Sequence, residues 1–219
     1  AIPRRQRQMC IRDRNNPTGT AKTLQEIKDF LNNLPEDILV FLDQAYFEYI
    51  EGTEFDIPFS LIDDYPNLVI SRSFSKAHGL AALRLGFCIS NPELSNYLNR
   101  VRQPFNANSL ALNLGKIALS DQEHIDKSVK INSSGMERVK MAFDSFNYSY
   151  IESWGNFISF DAKQDSDEAF QYFLKKGVIL RSLKVYEMPQ HLRVSIGTEE
   201  EMDFFLKVLE DYEKDLSKK

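Results

Sequence analysis

SRSFSKAHGLAALRLGF, residues 71–87, follows directly on the apolar run at 68–70. It sets Lys76 among serines and other small residues, with Arg84 eight positions further on, ahead of Gly86. Packing alone gives no reason for a lysine there. A lysine amine can bond covalently to an aldehyde, and does so best where a confined site leaves the amine unprotonated. Ser73 and Ser75 add hydroxyl donors beside it, and Arg84 adds a planar fork suited to a phosphate. On spacing alone the same pattern also fits a solvated loop lysine, because most lysines are surface residues.

Working outward, three short apolar runs, ILVFLD (38–43), LVIS (68–71) and LGFCIS (85–90), read as strands buried on both faces. Helical or loop segments separate them. This is the pattern of an α/β layer, in which polar residues just past the strand ends line a ligand crevice. Asp43 closes the first run, and a carboxylate there costs desolvation unless a cation or donor meets it. Tyr46 follows in DQAYFEY and can reach the same place, although a tyrosine taken singly is more often a packing residue. Upstream, Asn16 lies in NNPTGT (15–20), a turn by its proline and glycine. Thr23 with Glu26 forms a capping-box pattern before helical spacing at Leu24, Ile27, Leu31 and Leu34.

Residues 92–120 and 122–146 read as two helical stretches, the second interrupted by SSG at 133–135. Beyond them YSYIES, NFISF, GVILRS and HLRVSI are short strand candidates around a helical stretch near 166–176. The chain then closes on a second capping box, Thr198 with Glu201, and a helix with Met202, Phe205, Leu206, Leu209 and Tyr212 on one face. The expected organisation is an atypical arginine-rich segment at 1–14, a first α/β domain at 15–121 and a compact α+β domain at 122–219.

With 219 residues, 42% of them apolar and 12% aromatic, the chain has material for a real core. A net charge of −5 argues against nucleic acid or an anionic membrane as partner and leaves small charged or polar ligands open. Two cysteines make no disulfide framework, and His78, His124 and His191 show no metal-ligand spacing, so no metal is expected. No apolar run is long enough to span a membrane, and a cytoplasmic setting is expected.

Taken together and in this order, an asparagine in NNPTG, D-x-x-Y, S-x-S-x-K, an arginine eight residues later and a late R-x-S-I-G-T resemble the fold type I pyridoxal-phosphate aminotransferases. RQPFNANSLAL (102–112) and GVILRSLKVYEMPQHLRVSIGT (177–198) are particularly similar to the histidinol-phosphate aminotransferase family. The resemblance implies a partial large domain with a mostly parallel sheet and a small C-terminal domain. It implies that Lys76 holds pyridoxal 5'-phosphate covalently and later shuttles a proton at the substrate α-carbon. Asp43 would pair with the ring nitrogen, and Asn16 and Tyr46 would hydrogen-bond the ring oxygen. Ser73, Ser75 and Arg84 would hold the phosphate, while Arg193, helped by Arg181 and Asn156, would grip the acidic group of the substrate. His78 and His191 are left as bystanders. The implied reaction exchanges the amino group between histidinol phosphate and 2-oxoglutarate in histidine biosynthesis, with a small-molecule amino donor and keto acceptor, in a homodimer.

Members of that family are longer at the N-terminus, where they provide a first strand, a phosphate-binding glycine loop, a ring-stacking aromatic residue and a tyrosine near the substrate. None of these can be located here. Residues 1–14, with five arginines, are poor strand material and are expected to be foreign to a truncated sequence. Other fold type I enzymes fit the same motifs, namely an aromatic or aspartate aminotransferase or an amino-acid-phosphate decarboxylase. So does the aminotransferase-like, cofactor-sensing domain of a transcription regulator. That last reading needs a helix-turn-helix module, for which the arginine-rich segment is too short and irregular.

Overall fold

The computed structural model describes residues 8–12, 15–50 and 52–218. Their contacts divide into two units: Ala21–Ile125 with the strand that precedes it, and Asn15–Thr20 with residues 126–218. The turn Asn15–Thr20, placed by its sequence position in the first domain, thus clusters with the second unit.

Unit one is built on a four-stranded sheet in the order β1 (Gln8–Arg12), β2 (Leu39–Asp43), β3 (Leu68–Ser73), β4 (Gly86–Ser90). β1 and β3 run parallel to β2, and β4 runs antiparallel to β3. The continuous apolar runs behave as expected of strands covered on both faces: Val40, Leu42, Leu68, Val69 and Ile70 are all fully buried. Helix α1 (Leu24–Asn32) lays Ile27 and Leu31 on Val40, Leu42, Leu68 and Ile70, and the short α2 (Leu61–Asp64) adds Leu61 to that cluster. Thr23 caps α1 with the capping box read from the sequence.

Two expectations fail here. Residues 8–12 do form a strand, in register with β2 from Gln8 opposite Leu39 to Arg12 opposite Asp43. Strand propensity is a weak constraint where an apolar strand offers an unpaired backbone edge. Residues 92–120 are not one helix but two, α3 (Pro92–Val101) and α4 (Ser109–Ser120). Pro104 disfavours helical geometry in the residue before it, and Asn108 restarts the helix by accepting from the Ala111 N–H at 2.8 Å.

In unit two the long helix α5 (Gln122–Ser145), which starts in unit one, runs unbroken through SSG. Gly135 is there for space: a Cβ would come within 2.5 Å of Ile196 Cγ2. An antiparallel sheet follows in the order β5 (Tyr150–Ile151), β6 (Phe157–Asp161), β8 (His191–Ser195), β7 (Arg181–Ser182). Of GVILRS only the last two residues pair as strand. Helices α6 (Ser166–Lys175) and α7 (Glu199–Leu216) complete the unit. Its core joins Phe143 of α5, Ile158 and Phe160 of β6, Phe173 of α6, Leu192 of β8 and Phe205, Leu209 and Tyr212 of α7. The Tyr212 hydroxyl donates to the Ala162 carbonyl at 2.8 Å, so this buried phenol is satisfied, and burial pushes its ionisation upward.

The capping box of α7 closes as read, with Glu201 N–H donating to Thr198 Oγ1 at 3.3 Å and Thr198 N–H to Glu201 Oε2 at 2.8 Å. Thr198→Ala is therefore expected to cost about 1 kcal/mol of stability, seen as a lower urea midpoint at unchanged slope. Among the described residues no helix is long and apolar enough to cross a membrane.

Candidate active site

The six candidates of unit one sit at and just beyond the C-terminal ends of two neighbouring parallel strands. Asp43 is the last residue of β2 and pairs in register with Ser71 of β3, while Ser73 is the last residue of β3. Ligands of parallel sheets bind outside such ends, where the strands stop and the loops diverge. The Ala45 N–H donates to Asp43 Oδ1 at 3.1 Å and so orients the carboxylate. Tyr46, only 7% exposed, then opens a 3-10 turn over Phe47–Tyr49. Within that turn burial, with Glu48 and Tyr46 adding to it, pushes the Tyr49 hydroxyl up to about 12.

After β3 the chain turns through Ser73, Phe74 and Ser75 to Lys76. The Ser75 N–H donates to Ser73 Oγ at 3.0 Å, a local bond that fixes the turn, while Phe74 packs into a small core with Leu85 and Ala111. The Lys76 ammonium lies 5.0 Å from the centroid of the Tyr46 ring. Two candidates separated by thirty positions in sequence thus meet directly. Arg84 is exposed, holds a left-handed backbone (φ 50) and donates from Nη1 to the Ala81 carbonyl at 2.9 Å. A non-glycine residue in that conformation is uncommon and costs strain.

The remaining four candidates belong to unit two. Arg193 of β8 is half-buried over the Phe157 ring at 4.9 Å, and its Nη1 donates to Asn16 Oδ1 at 2.5 Å. Its Nε is buried without an acceptor. Arg181 of β7 stands directly opposite Arg193 in the strand register, so both side chains leave the same face of the sheet. The Asn156 carbonyl accepts from the Ile196 N–H at 2.9 Å. Asn16 is held on this unit by its turn: the Ser159 hydroxyl donates to the Pro17 carbonyl at 2.5 Å, and the Trp154 N–H to the Gly19 carbonyl at 3.0 Å. Gly19 has φ +79, and a Cβ would collide with Ser153 Oγ at 2.1 Å, so only glycine allows this approach.

Several contacts around these candidates fall outside the sequence reading. Arg72 is stacked over Phe47 at 3.4 Å and Phe59 at 4.3 Å and donates from Nε to Gln44 Oε1. His78, set aside as a bystander, faces Glu48, with Nε2 at 3.6 Å from Oε1. His124 places Nε2 at 3.1 Å from the Ala77 carbonyl. Equal spacing was the available sign: Tyr46 and Glu48 are two apart, as are Lys76 and His78.

An amine, a carboxylate, two hydroxyls and a guanidinium thus lie at or beyond the strand ends of unit one, and a pair of arginines lies on the sheet of unit two. The chain belongs to the aminotransferase class I and II family, whose profile matches residues 2–209. More particularly, it is 44% identical over 210 residues to histidinol-phosphate aminotransferase 1 of Nitrosococcus oceani, which covers 96% of this chain and 57% of that protein. The chain thus spans little more than half the length of that curated relative. Among solved structures it is similar to histidinol-phosphate aminotransferase from Sinorhizobium meliloti in complex with pyridoxal-5'-phosphate, with TM-score 0.85 and 24% identity over 95% of this chain and 58% of that one. L-threonine-O-3-phosphate decarboxylase from Porphyromonas gingivalis has TM-score 0.81 and 22% identity over 94% and 64%. At such identities these likenesses establish the fold, that of the fold type I pyridoxal-phosphate-dependent transferases.

Proposed function

We propose that the chain supplies much of the catalytic apparatus of a pyridoxal-phosphate-dependent aminotransferase that exchanges an amino group between histidinol phosphate and 2-oxoglutarate. The observation that carries this reading is the Lys76 ammonium laid on the Tyr46 ring, three residues past the carboxylate that ends the neighbouring parallel strand. The donor set fits the cofactor: an amine for its aldehyde, an acid for its ring nitrogen, and hydroxyls with a guanidinium for its phosphate. Pyridoxal phosphate, when bound, supplies an electron-accepting ring beside the substrate α-carbon.

Lys76 Nζ would hold the cofactor aldehyde and, as a free amine, would take the proton from the substrate α-carbon. The Asp43 carboxylate keeps a proton on the ring nitrogen. The phenol of Tyr46 and the amide of Asn16 donate to the ring oxygen, and Ser73, Ser75 and Arg84 bind the phosphate. Arg193 grips the acidic group of the substrate, with Arg181 and Asn156 beside it in role. Its buried Nε, which has no acceptor of its own, supports an incoming carboxylate or phosphate oxygen as the missing partner.

Two arginines suit a site that must accept a phosphate ester in one half-reaction and the carboxylates of glutamate in the other. Arg193→Lys is expected to raise KM for the acidic substrate about 10- to 100-fold with a smaller change in kcat. The cause is that a point charge cannot replace a planar fork worth about 1.5–3 kcal/mol in charge-assisted hydrogen bonds.

A cytoplasmic homodimer is part of the same reading. The exposed apolar side chains of α3, α4 and the loop between them, among them Val101, Phe105, Leu110 and Ile117, support burial against another copy. Incubation with glutamate and imidazole acetol phosphate tests the substrate, with formation of histidinol phosphate expected. Failure with that pair and turnover of phenylpyruvate instead would move the assignment to an aromatic aminotransferase. Release of carbon dioxide from an amino-acid phosphate would move it to a decarboxylase.

A further inference from the structure

We propose that Glu48 and His78 form a strap that positions the Lys76 amine against Tyr46, a role that rests on the reading of Lys76 as the cofactor-holding amine. The segments 46–48 and 76–78 meet at two rungs. The first is the Lys76 ammonium on the Tyr46 ring; the second, two residues further along each segment, is the His78 imidazole facing the Glu48 carboxylate at 3.6 Å. Only one residue separates the rungs on each segment, Phe47 on one and Ala77 on the other, so in this proposal displacement of one rung moves the other.

Burial and packing give the second rung its strength. The side chains of His78 and Glu48 are only 10% and 11% exposed, so their contact is largely shielded from water and salt. The His78 ring also packs on Phe74 with centroids 5.0 Å apart, and Phe74 is itself 4% exposed. On the other flank of the loop His124 Nε2 meets the Ala77 carbonyl at 3.1 Å. A carbonyl only accepts, so Nε2 carries the proton there. The two residues after Lys76 are thus tied down from both sides, one by its side chain and one by its backbone. Asp56 and Arg72 are the other charged groups lining the cavity of about 350 Å³ that His78 and Glu48 share.

The need for a strap follows from the amine. A lysine carries its charge on a flexible four-carbon stem, and a single cation–π contact restrains it weakly. Reacting atoms must nevertheless be held closely, because a misplacement of about 1 Å can cost on the order of a hundredfold in rate. Glu48 and His78 touch no reacting atom in this reading, so they are positioning residues.

The test uses Glu48→Gln, which keeps size and loses charge, and His78→Phe, which keeps the packing on Phe74 and loses the pair. The first readout needs no cofactor: the rate at which an amine-reactive reagent labels Lys76 in the purified protein, followed by peptide mass spectrometry with exposed Lys116 as internal control. Both variants are expected to label Lys76 roughly two- to fivefold faster, the factor that corresponds to losing a cation–π contact, with Lys116 unchanged. Loaded with pyridoxal phosphate, each is expected to lose about tenfold or more in kcat with KM for glutamate nearly constant. The double variant is expected to be little worse than either single one.

Wild-type labelling and wild-type kcat in both variants would overturn the strap, as would a loss of stability with unaltered labelling. If instead the wild-type protein forms no borohydride-stable adduct with pyridoxal phosphate while the labelling shifts as expected, the proposed function fails and the geometry of the strap stands.

Discussion

Replacing Lys76 by alanine is expected to reduce turnover by on the order of 10²- to 10⁴-fold, the range that a positioned acid–base group supplies. It should also remove the visible absorption that appears when pyridoxal phosphate is added to the wild-type protein. In the proposed reading both losses follow from one amine having two duties, holding the aldehyde and moving the α-proton. Replacement with arginine should fare no better, since a guanidinium keeps its proton at any ordinary pH and cannot act as a nucleophile. Added methylamine should restore part of the rate, because a free amine can move the proton without being tethered. An alanine variant that retains wild-type turnover would show that Lys76 is only a packing and cation–π residue.

Asp43→Ala is expected to separate binding from rate. Asp43 ends β2 with its carboxylate oriented by the Ala45 N–H, and the ligands that hold the phosphate and aldehyde in this reading lie on the β3 side. Cofactor affinity should therefore fall modestly, while kcat falls by about 10²- to 10³-fold, the usual cost of removing one electrostatic contact to developing charge. The physical reason is that a carbanion at the α-carbon is stabilised only as far as the ring can take up its electrons, and an unprotonated ring takes them up poorly. Equal loss of affinity and rate would place Asp43 among the binding groups alone.

Much of this arrangement is legible in the chain because apolar runs, strand ends and caps are local features. ILVFLD announces β2 together with the acid that ends it, and Thr23 and Thr198 announce α1 and α7 through capping boxes that the structure closes. What escapes is set by partners distant in sequence. The strand at Gln8–Arg12 exists because β2 offers it an edge, which no count of arginines reveals. The SSG triplet in α5 reads as an interruption until Ile196 shows why Gly135 needs no side chain.

The candidate residues divide in the same way. Residues near one another in sequence, such as Ser73, Ser75 and Lys76, are readable as a group. By contrast, the bond from Arg193 to Asn16 joins residues 177 positions apart and depends on a turn fastened to β6 by Ser159. His78 reads as a bystander in the sequence, and only the fold brings it to Glu48.

The central claim is that the amine of residue 76 is the group that engages the cofactor aldehyde. Reduction of the pyridoxal-phosphate-loaded protein with borohydride, followed by proteolysis and mass spectrometry, tests it most directly. The account predicts a single phosphopyridoxyl group on the peptide that contains Lys76. Stoichiometric modification of a different lysine, or none at all, would contradict it.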